Sequence, residues 1–225
     1  MPYFLFGTLF FSMLFLDRWL SWIFNPVITS IPGATLFMEF NTIYHSGADP
    51  ALFVLLPAIL LQYVIMGPIY AHMVNFNIKH KISELEKLKK VLNGYYIKTI
   101  VAVLISSIFM AIIFNLFATE IMSLIGGSEM SLQIFRTASI SNIFVSFFAA
   151  NCMFMMFFNK VKIALIIATI SITILAIVGI FFAQTSFENL TYAYLASAIF
   201  SSVVSSIYLK TMLKNSVTLI FSKFV

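Results

Sequence analysis

Along most of this chain the apolar and polar positions do not alternate at either the strand or the helix period. Long apolar runs are broken only by small hydroxyl side chains and a few amides, and the charges fall between the runs. No Asp, Glu, Lys or Arg occurs from Pro50 to Ile78, Thr99 to Thr119, Thr137 to Asn159, Ile163 to Phe187 or Asn189 to Leu209. A helix rises about 1.5 Å per residue, so about 20 such residues cross a hydrocarbon core roughly 30 Å thick. A sixth run, Tyr3 to Phe24, is interrupted by Asp17 and Arg18. Apolar residues surround each predicted helix, as they do where lipid or other helices enclose it. Barrel strands would alternate over roughly ten residues, and these runs do not. The pattern predicts an all-α polytopic membrane protein. It has one transmembrane domain, 1–225, with spans near 3–24, 51–77, 97–118, 132–158, 162–184 and 190–210.

Composition removes the alternatives. Of 225 residues, 61% are hydrophobic and 9% charged, and the mean hydropathy is +1.03. A soluble domain is about 25% charged, so this chain cannot cover a globular surface. The single cysteine, Cys152, excludes an intrachain disulfide framework. The first apolar run has no basic segment before it and is too long for a cleavable signal, so it is expected to remain as a span.

The net charge of +5 reflects topology. Lys79, Lys81, Lys87, Lys89, Lys90 and Lys98 lie between spans two and three, Lys160 and Lys162 between four and five, and Lys210, Lys214 and Lys223 after span six. The other connections carry Glu39 and Asp49, Glu120 and Glu129, and Glu188. Basic residues mark the cytoplasmic loops. Both termini are therefore expected in the cytoplasm, across a bacterial plasma (inner) membrane. Eleven of the thirteen basic residues are absorbed this way, which leaves nothing for a nucleic acid to bind.

Between spans two and three, Ser83 and Glu86 read as a capping box, and Ile82, Leu85, Leu88 and Leu92 form an apolar stripe. Gly94 is placed to end that helix. The expected element is a cytoplasmic amphipathic helix over 83–93. It is either an elbow on the inner leaflet or, through Lys87, Lys89 and Lys90, a contact for a cytoplasmic partner.

Charges and breakers inside spans are the candidate functional features, because burying them in lipid costs several kcal/mol. Asp17 and Arg18 sit in span one, where Trp19 and Trp22 read as an aromatic belt; the pair either marks the outer end of the span or places a charge toward a water-filled cavity. Arg136, Ser139, Asn142 and Ser146 follow at spacings of three and four, so all four can share one face lining a polar cavity; the alternative is that Arg136 is an interfacial anchor and the small residues are helix packing. Pro57, Gly67 and Pro68 predict kinks in span two. Ala193, Ser197, Ser201 and Ser205, with Ala198, Ser202 and Ser206 beside them, form a small-residue face for close helix packing. In the loop 25–49, Phe37, Phe40 and Tyr44 suggest a short interfacial helix, and His45 alone is weak evidence for a metal. No P-loop, HExxH, Cys/His cluster or GxSxG elbow is present. The expectation is a protein without cofactor, metal or catalytic residues. A membrane transferase, needing Asp17, Glu39 or Asp49 as catalytic carboxylate, ranks last.

Four stretches together resemble the PelG family, the inner-membrane exporters of the Pel exopolysaccharide system. They are Leu16 to Leu20 (LDRWL), Tyr44 to Pro57 (YHSGADPALFVLLP), Ile82 to Leu92 (ISELEKLKKVL) and Leu132 to Arg136 (LQIFR). That family is similar to the flippase superfamily of MATE drug exporters and Wzx flippases. The resemblance implies two six-helix bundles, of which this chain resembles the C-terminal one. It also implies a polysaccharide or lipid-linked sugar as substrate. The implied partners are a cytoplasmic glycosyltransferase, other membrane subunits of the export complex, and a second six-helix bundle or a homodimer. The pathway wall would then use Asp17, Arg18, Arg136, Ser139, Asn142 and Ser146. A non-transporting scaffold that docks the glycosyltransferase is the competing reading.

Overall fold

The computed structural model describes residues 1–24, 41–79 and 85–214. The described chain forms α1 (Pro2–Phe24), α2 (Thr42–Ala51), a 3-10 segment (Leu52–Leu55), α3 (Leu56–Lys79), α4 (Leu85–Leu116), α5 (Ala118–Leu124), α6 (Glu129–Phe157), α7 (Val161–Ala183), a 3-10 turn (Phe187–Asn189) and α8 (Leu190–Lys214). Six stretches are long and apolar enough to cross a membrane: Pro2–Phe24, Thr42–Ile69, Lys89–Leu116, Glu129–Phe157, Val161–Ala183 and Phe187–Lys214. The protein is thus an all-α polytopic membrane protein.

α6 is the hub. It packs against α8, α2 and α4, while α7 joins α8 to α1, and α3 lies mainly on α4. The reason lies in side-chain size. Ala193, Ser197, Ser201 and Ser205 on α8 are fully buried, as are Ala138, Ser139, Asn142 and Ser146 on α6 to within 2%. Small side chains let helix backbones approach, which is how helices associate where lipid is as apolar as leucine. The hydroxyls that this requires are satisfied locally. Ser146 Oγ donates to Asn142 O (2.8 Å), Ser171 Oγ to Ile167 O (2.8 Å) and Ser141 Oγ to Thr137 O (2.9 Å).

Two expectations need correction. The second crossing begins at Thr42, inside the stretch expected to be an outer loop. Tyr44, His45 and Asp49 can enter the bundle because α1 supplies polar partners for them. Gly94 does not end a helix: α4 runs unbroken from Leu85 to Leu116. No neighbour lies within 4 Å of where a Gly94 Cβ would be, and a lone glycine costs an otherwise strong helix only about 1 kcal/mol. The stretch expected as a separate cytoplasmic helix is therefore, over its described part, the first turns of α4. Ser83, Phe37, Phe40 and Glu39 lie outside the described residues, and so does the side chain of Lys87. Of the expected breakers, Gly67 and Pro68 lie within the continuous α3, and Pro57 is its second residue. Irregular backbone lies in the 3-10 segment Leu52–Leu55, two residues before Pro57.

Charges segregate between the two ends. Tyr3 Oη donates to Asn159 Oδ1 (3.3 Å), and Lys89 Nζ donates to Lys214 O (2.5 Å). These contacts bring the start of α1, the α6–α7 turn, the start of α4 and the end of α8 to one lysine-bearing end. Glu120, Glu129 and Glu188 lie at the other.

Candidate functional site

The densest polar chemistry in the described residues is where α1 meets α2 near the acidic end. Adjacent residues Asp17 and Arg18 are 0% and 1% exposed, so each must find its partners inside the protein. Arg18 uses all three nitrogens. Nε donates to Asp49 Oδ1 (2.6 Å), Nη1 to Leu14 O (2.6 Å) and Asp17 Oδ1 (3.0 Å), and Nη2 to Ala48 O (2.8 Å). Its guanidinium also lies 5.1 Å from the Phe15 ring centroid. The second Asp17 oxygen accepts from Tyr44 Oη (2.7 Å). A fork with several donors suits this position, where a lysine would leave acceptors unmet.

The network widens from there. Asp49 Oδ2 is 2.8 Å from His45 Nδ1, and Trp22 Nε1 is 2.5 Å from His45 Nε2. Indole N–H is a donor only, so Nε2 accepts and Nδ1 is the nitrogen that donates to Asp49. The Trp22 and His45 rings also stack at 5.1 Å. Trp22, read from sequence as part of an aromatic belt, is thus tied into α2. Asn41 caps α2 by accepting from Tyr44 N (2.9 Å).

α2 is seated on α6 by a second set. Ser46 Oγ and Ser131 Oγ are 2.7 Å apart, and Ser131 Oγ reaches Ile43 O (2.9 Å). Ser131 also closes a reciprocal capping box with Ser128 at the start of α6. Further along α6, Asn142 Nδ2 donates to Ala51 O (2.8 Å), and Asn142 Oδ1 accepts from Tyr194 Oη (2.8 Å) of α8. A separate knot lies toward the other end. Tyr96 Oη donates to Asn151 Oδ1 (3.1 Å), and Asn151 Nδ2 donates to Ser205 Oγ (2.8 Å) and Ser206 Oγ (2.9 Å). Asn151→Leu strands these partners in the bundle core and should lower stability by about 1–3 kcal/mol. Thermal unfolding of the purified protein in detergent checks this, with Ser206→Ala as a milder reference.

The sequence-derived candidates therefore separate. Asp17 and Arg18 come together as one ion pair facing inward. Ser139, Asn142 and Ser146 share a fully buried face of α6. Arg136 does not share it: its side chain is exposed and, among the described residues, has no ion-pair partner. At 100° per residue Arg136 sits 60–120° around the helix from the other three, enough to leave the packed face. Lys89 caps the end of α8 and Lys90 is exposed. Sequence reasoning placed Tyr44 in an interfacial helix and Trp22 in an aromatic belt but missed their bonds to Asp17 and His45, and it missed Tyr194 and the Tyr96–Asn151 knot altogether. The available signal was His45–Asp49 at i,i+4, facing a span that already carried two charges. Among the described residues no three metal-ligating side chains converge.

Comparison with known proteins places this arrangement. No curated protein and no solved structure gives a significant match. One family model does match, PelG, described as "Putative exopolysaccharide Exporter (EPS-E)", over residues 1–221. A match over nearly the whole chain, on a multi-pass helical bundle with a charged and hydrogen-bonded interior, shows that the chain belongs to the PelG family of exopolysaccharide exporters.

Proposed function

We propose that the chain is a membrane component of a Pel-type exopolysaccharide export system, forming one helical bundle of a flippase-like transporter. The family match over residues 1–221 carries this reading. The substrate is a polysaccharide or lipid-linked sugar, the role is transport rather than catalysis, and a second six-helix bundle or a second copy completes the pathway. Alternating access by repeats of this kind needs two bundles rocking about a site between them. The lysine-bearing end faces the cytoplasm of a bacterial inner membrane, as the basic-residue bias suggests.

Within this reading the candidate residues take two roles. Arg136, exposed on a membrane-crossing helix, is the group free to meet a sugar hydroxyl or anionic group on the pathway side. Asp17, Arg18, Ser139, Asn142 and Ser146 hold α1, α2, α6 and α8 in the register that presents it. The test is secretion of polysaccharide by cells lacking their own exporter gene and supplied with this chain and its partner subunits. Arg136→Glu should lower secretion with unchanged protein level in the membrane, and Arg136→Lys should retain most of it. Equal secretion from the native protein and Arg136→Glu would remove Arg136 from the pathway.

A second reading, a scaffold docking a cytoplasmic glycosyltransferase, is favoured by one feature. α4 has 32 residues, about 48 Å, well beyond what a crossing needs, and its first turns carry Lys87, Lys89 and Lys90. Replacing Lys87 and Lys90 with Glu should release the enzyme from a detergent pull-down if this is the contact. Retained enzyme would exclude it.

A further inference from the structure

The polar network between α1 and α2 includes one side chain of the kind that changes charge near neutral pH. His45 lies in the first turn of α2, and histidine titrates between about pH 5 and 8. Its side chain is 23% exposed and that of Asp49 is 48% exposed, so the pair is open to protons from outside the bundle. Both ring nitrogens are engaged, in opposite senses. Nδ1 donates to Asp49 Oδ2 (2.8 Å), and Nε2 accepts from Trp22 Nε1 (2.5 Å). That separation leaves room for one hydrogen between the two nitrogens, and the indole nitrogen always carries its own. The arrangement is therefore that of the neutral imidazole.

A proton added at Nε2 acts oppositely on the two bonds. The Asp49 contact becomes a charge-assisted bond between imidazolium and carboxylate, and such bonds are shorter and stronger. The Trp22 contact becomes two N–H groups aimed at each other, so that bond is lost. The two rings also stack, with centroids 5.1 Å apart and planes 26° apart. A cation is attracted to the indole face, and that attraction is compatible with an indole that has turned its N–H away. The surrounding charges do not reverse the outcome. Asp17 is occupied by Arg18 Nη1 and Tyr44 Oη, and Arg18 Nε stays on the other Asp49 oxygen. α6 meets α2 through Ser131 and Ile134, which do not titrate, and its charged residues Glu129 and Arg136 are exposed. Acid therefore removes one tie between α1 and α2 and spares the others.

We propose that His45 is a pH-operated latch. As the neutral imidazole it pins Trp22, in the last turn of α1, to the first turn of α2. On protonation it releases the indole, while α1 and α2 stay joined through Arg18. The latch is closed above the titration of His45 and open below it. Its role is to regulate the bundle that carries export, and to that extent it rests on the export reading.

The test is fluorine NMR of the full chain in lipid nanodiscs. The chain has two tryptophans, so fluorotryptophan labelling with Trp19→Phe leaves Trp22 as the single probe. From about pH 8 to about pH 5, the range that brackets histidine, the Trp22 signal should move or split. Its isotope shift between H2O and D2O should rise as the indole leaves its partner. His45→Gln does not titrate and should hold one signal throughout. His45→Arg, a permanent cation, should give the acid-side signal at every pH. A constant Trp22 signal in the parent protein overturns the latch, whether or not the variants fold. So does a signal that moves with an unchanged isotope shift, because the imidazolium then forms without releasing the indole. A titration that survives in His45→Gln overturns it as well. In cells, secretion by the native chain should differ roughly threefold between external pH of about 5.5 and about 7.5, the ratio that one ordinary hydrogen bond makes to an equilibrium. His45→Gln should narrow that difference, and an equal ratio in the two strains overturns the regulatory role. If the native chain restores no secretion at either pH, the export reading fails while the fluorine signal still decides the latch.

Discussion

Arg18→Met should destabilise the protein by about 3–5 kcal/mol, the loss typical of breaking a buried ion pair from one side. The replacement keeps length and apolar volume, so packing is little changed, but Asp17 keeps only Tyr44 Oη on one oxygen and nothing charged on the other. Asp17 is 0% exposed and cannot recover its hydration. The carbonyls of Leu14 and Ala48 and one oxygen of Asp49 also lose donors. The measurement is thermal unfolding in detergent, followed by size-exclusion of a fluorescent fusion. A variant too unstable to purify would appear as aggregate at the growth temperature. Two companions give the result meaning. Asp49→Asn should cost much less, because the Asp49 side chain is 48% exposed and the ion pair with Asp17 remains. Asp17→Asn together with Arg18→Met should recover part of the single-variant loss, since no buried charge is then left alone. If Arg18→Met unfolds within a degree of the native protein, the buried network is not what holds α1 to α2.

How much of this was legible beforehand differs between fold and site for a physical reason. Membrane crossing depends on the run length of uncharged residues, a one-dimensional property, so the six crossings can be read from the positions of the charges. The start of the second crossing could not be read that way. Tyr44, His45 and Asp49 look like loop residues until Asp17, Arg18 and Trp22 lie beside them, some 23 to 31 residues away in sequence. Helix ends inside a crossing were also hidden. Gly94 carries the usual signal for a stop, yet the apolar stretch beyond it makes continuing the helix cheaper than exposing four carbonyls to lipid. Pro57 was visible as a breaker, and the carbonyl it leaves without an i+4 donor, Phe53 O, follows from sequence alone; that Asn142 holds Ala51 O nearby depends on the approach of α2 to α6. Arg136 shows the limit of spacing arguments: three- and four-residue steps put it near the polar face of α6, and 60–120° of rotation takes it off.

Gly47→Ala is the sharpest probe of that α2–α6 approach, and it should cost about 3–5 kcal/mol, more than the 1–3 kcal/mol of ordinary overpacking. A Cβ at Gly47 would lie 2.4 Å from Ser131 O and 2.8 Å from Ile134 Cβ. The first obstacle is backbone in the capped first turn of α6 and cannot rotate away. Relief to ordinary contact requires the two helices to separate along their length, and α2 carries much of the polar network. Ser46–Ser131, Ser131–Ile43 O and Asn142–Ala51 O would all stretch together, each worth about 0.5–1.5 kcal/mol. Other glycines separate this mechanism from a general intolerance of bulk. At Gly179 the obstacle is Leu20 Cδ1 at 2.6 Å, the tip of a flexible side chain, so Gly179→Ala should cost below about 1.5 kcal/mol. At Gly94 nothing lies within 4 Å, and Gly94→Ala inside α4 should gain roughly 0.5–1 kcal/mol from helix propensity. The order of unfolding temperatures should therefore be Gly94→Ala above native, Gly179→Ala slightly below and Gly47→Ala far below. Parity between Gly47→Ala and Gly179→Ala would mean that α2 is not clamped to α6.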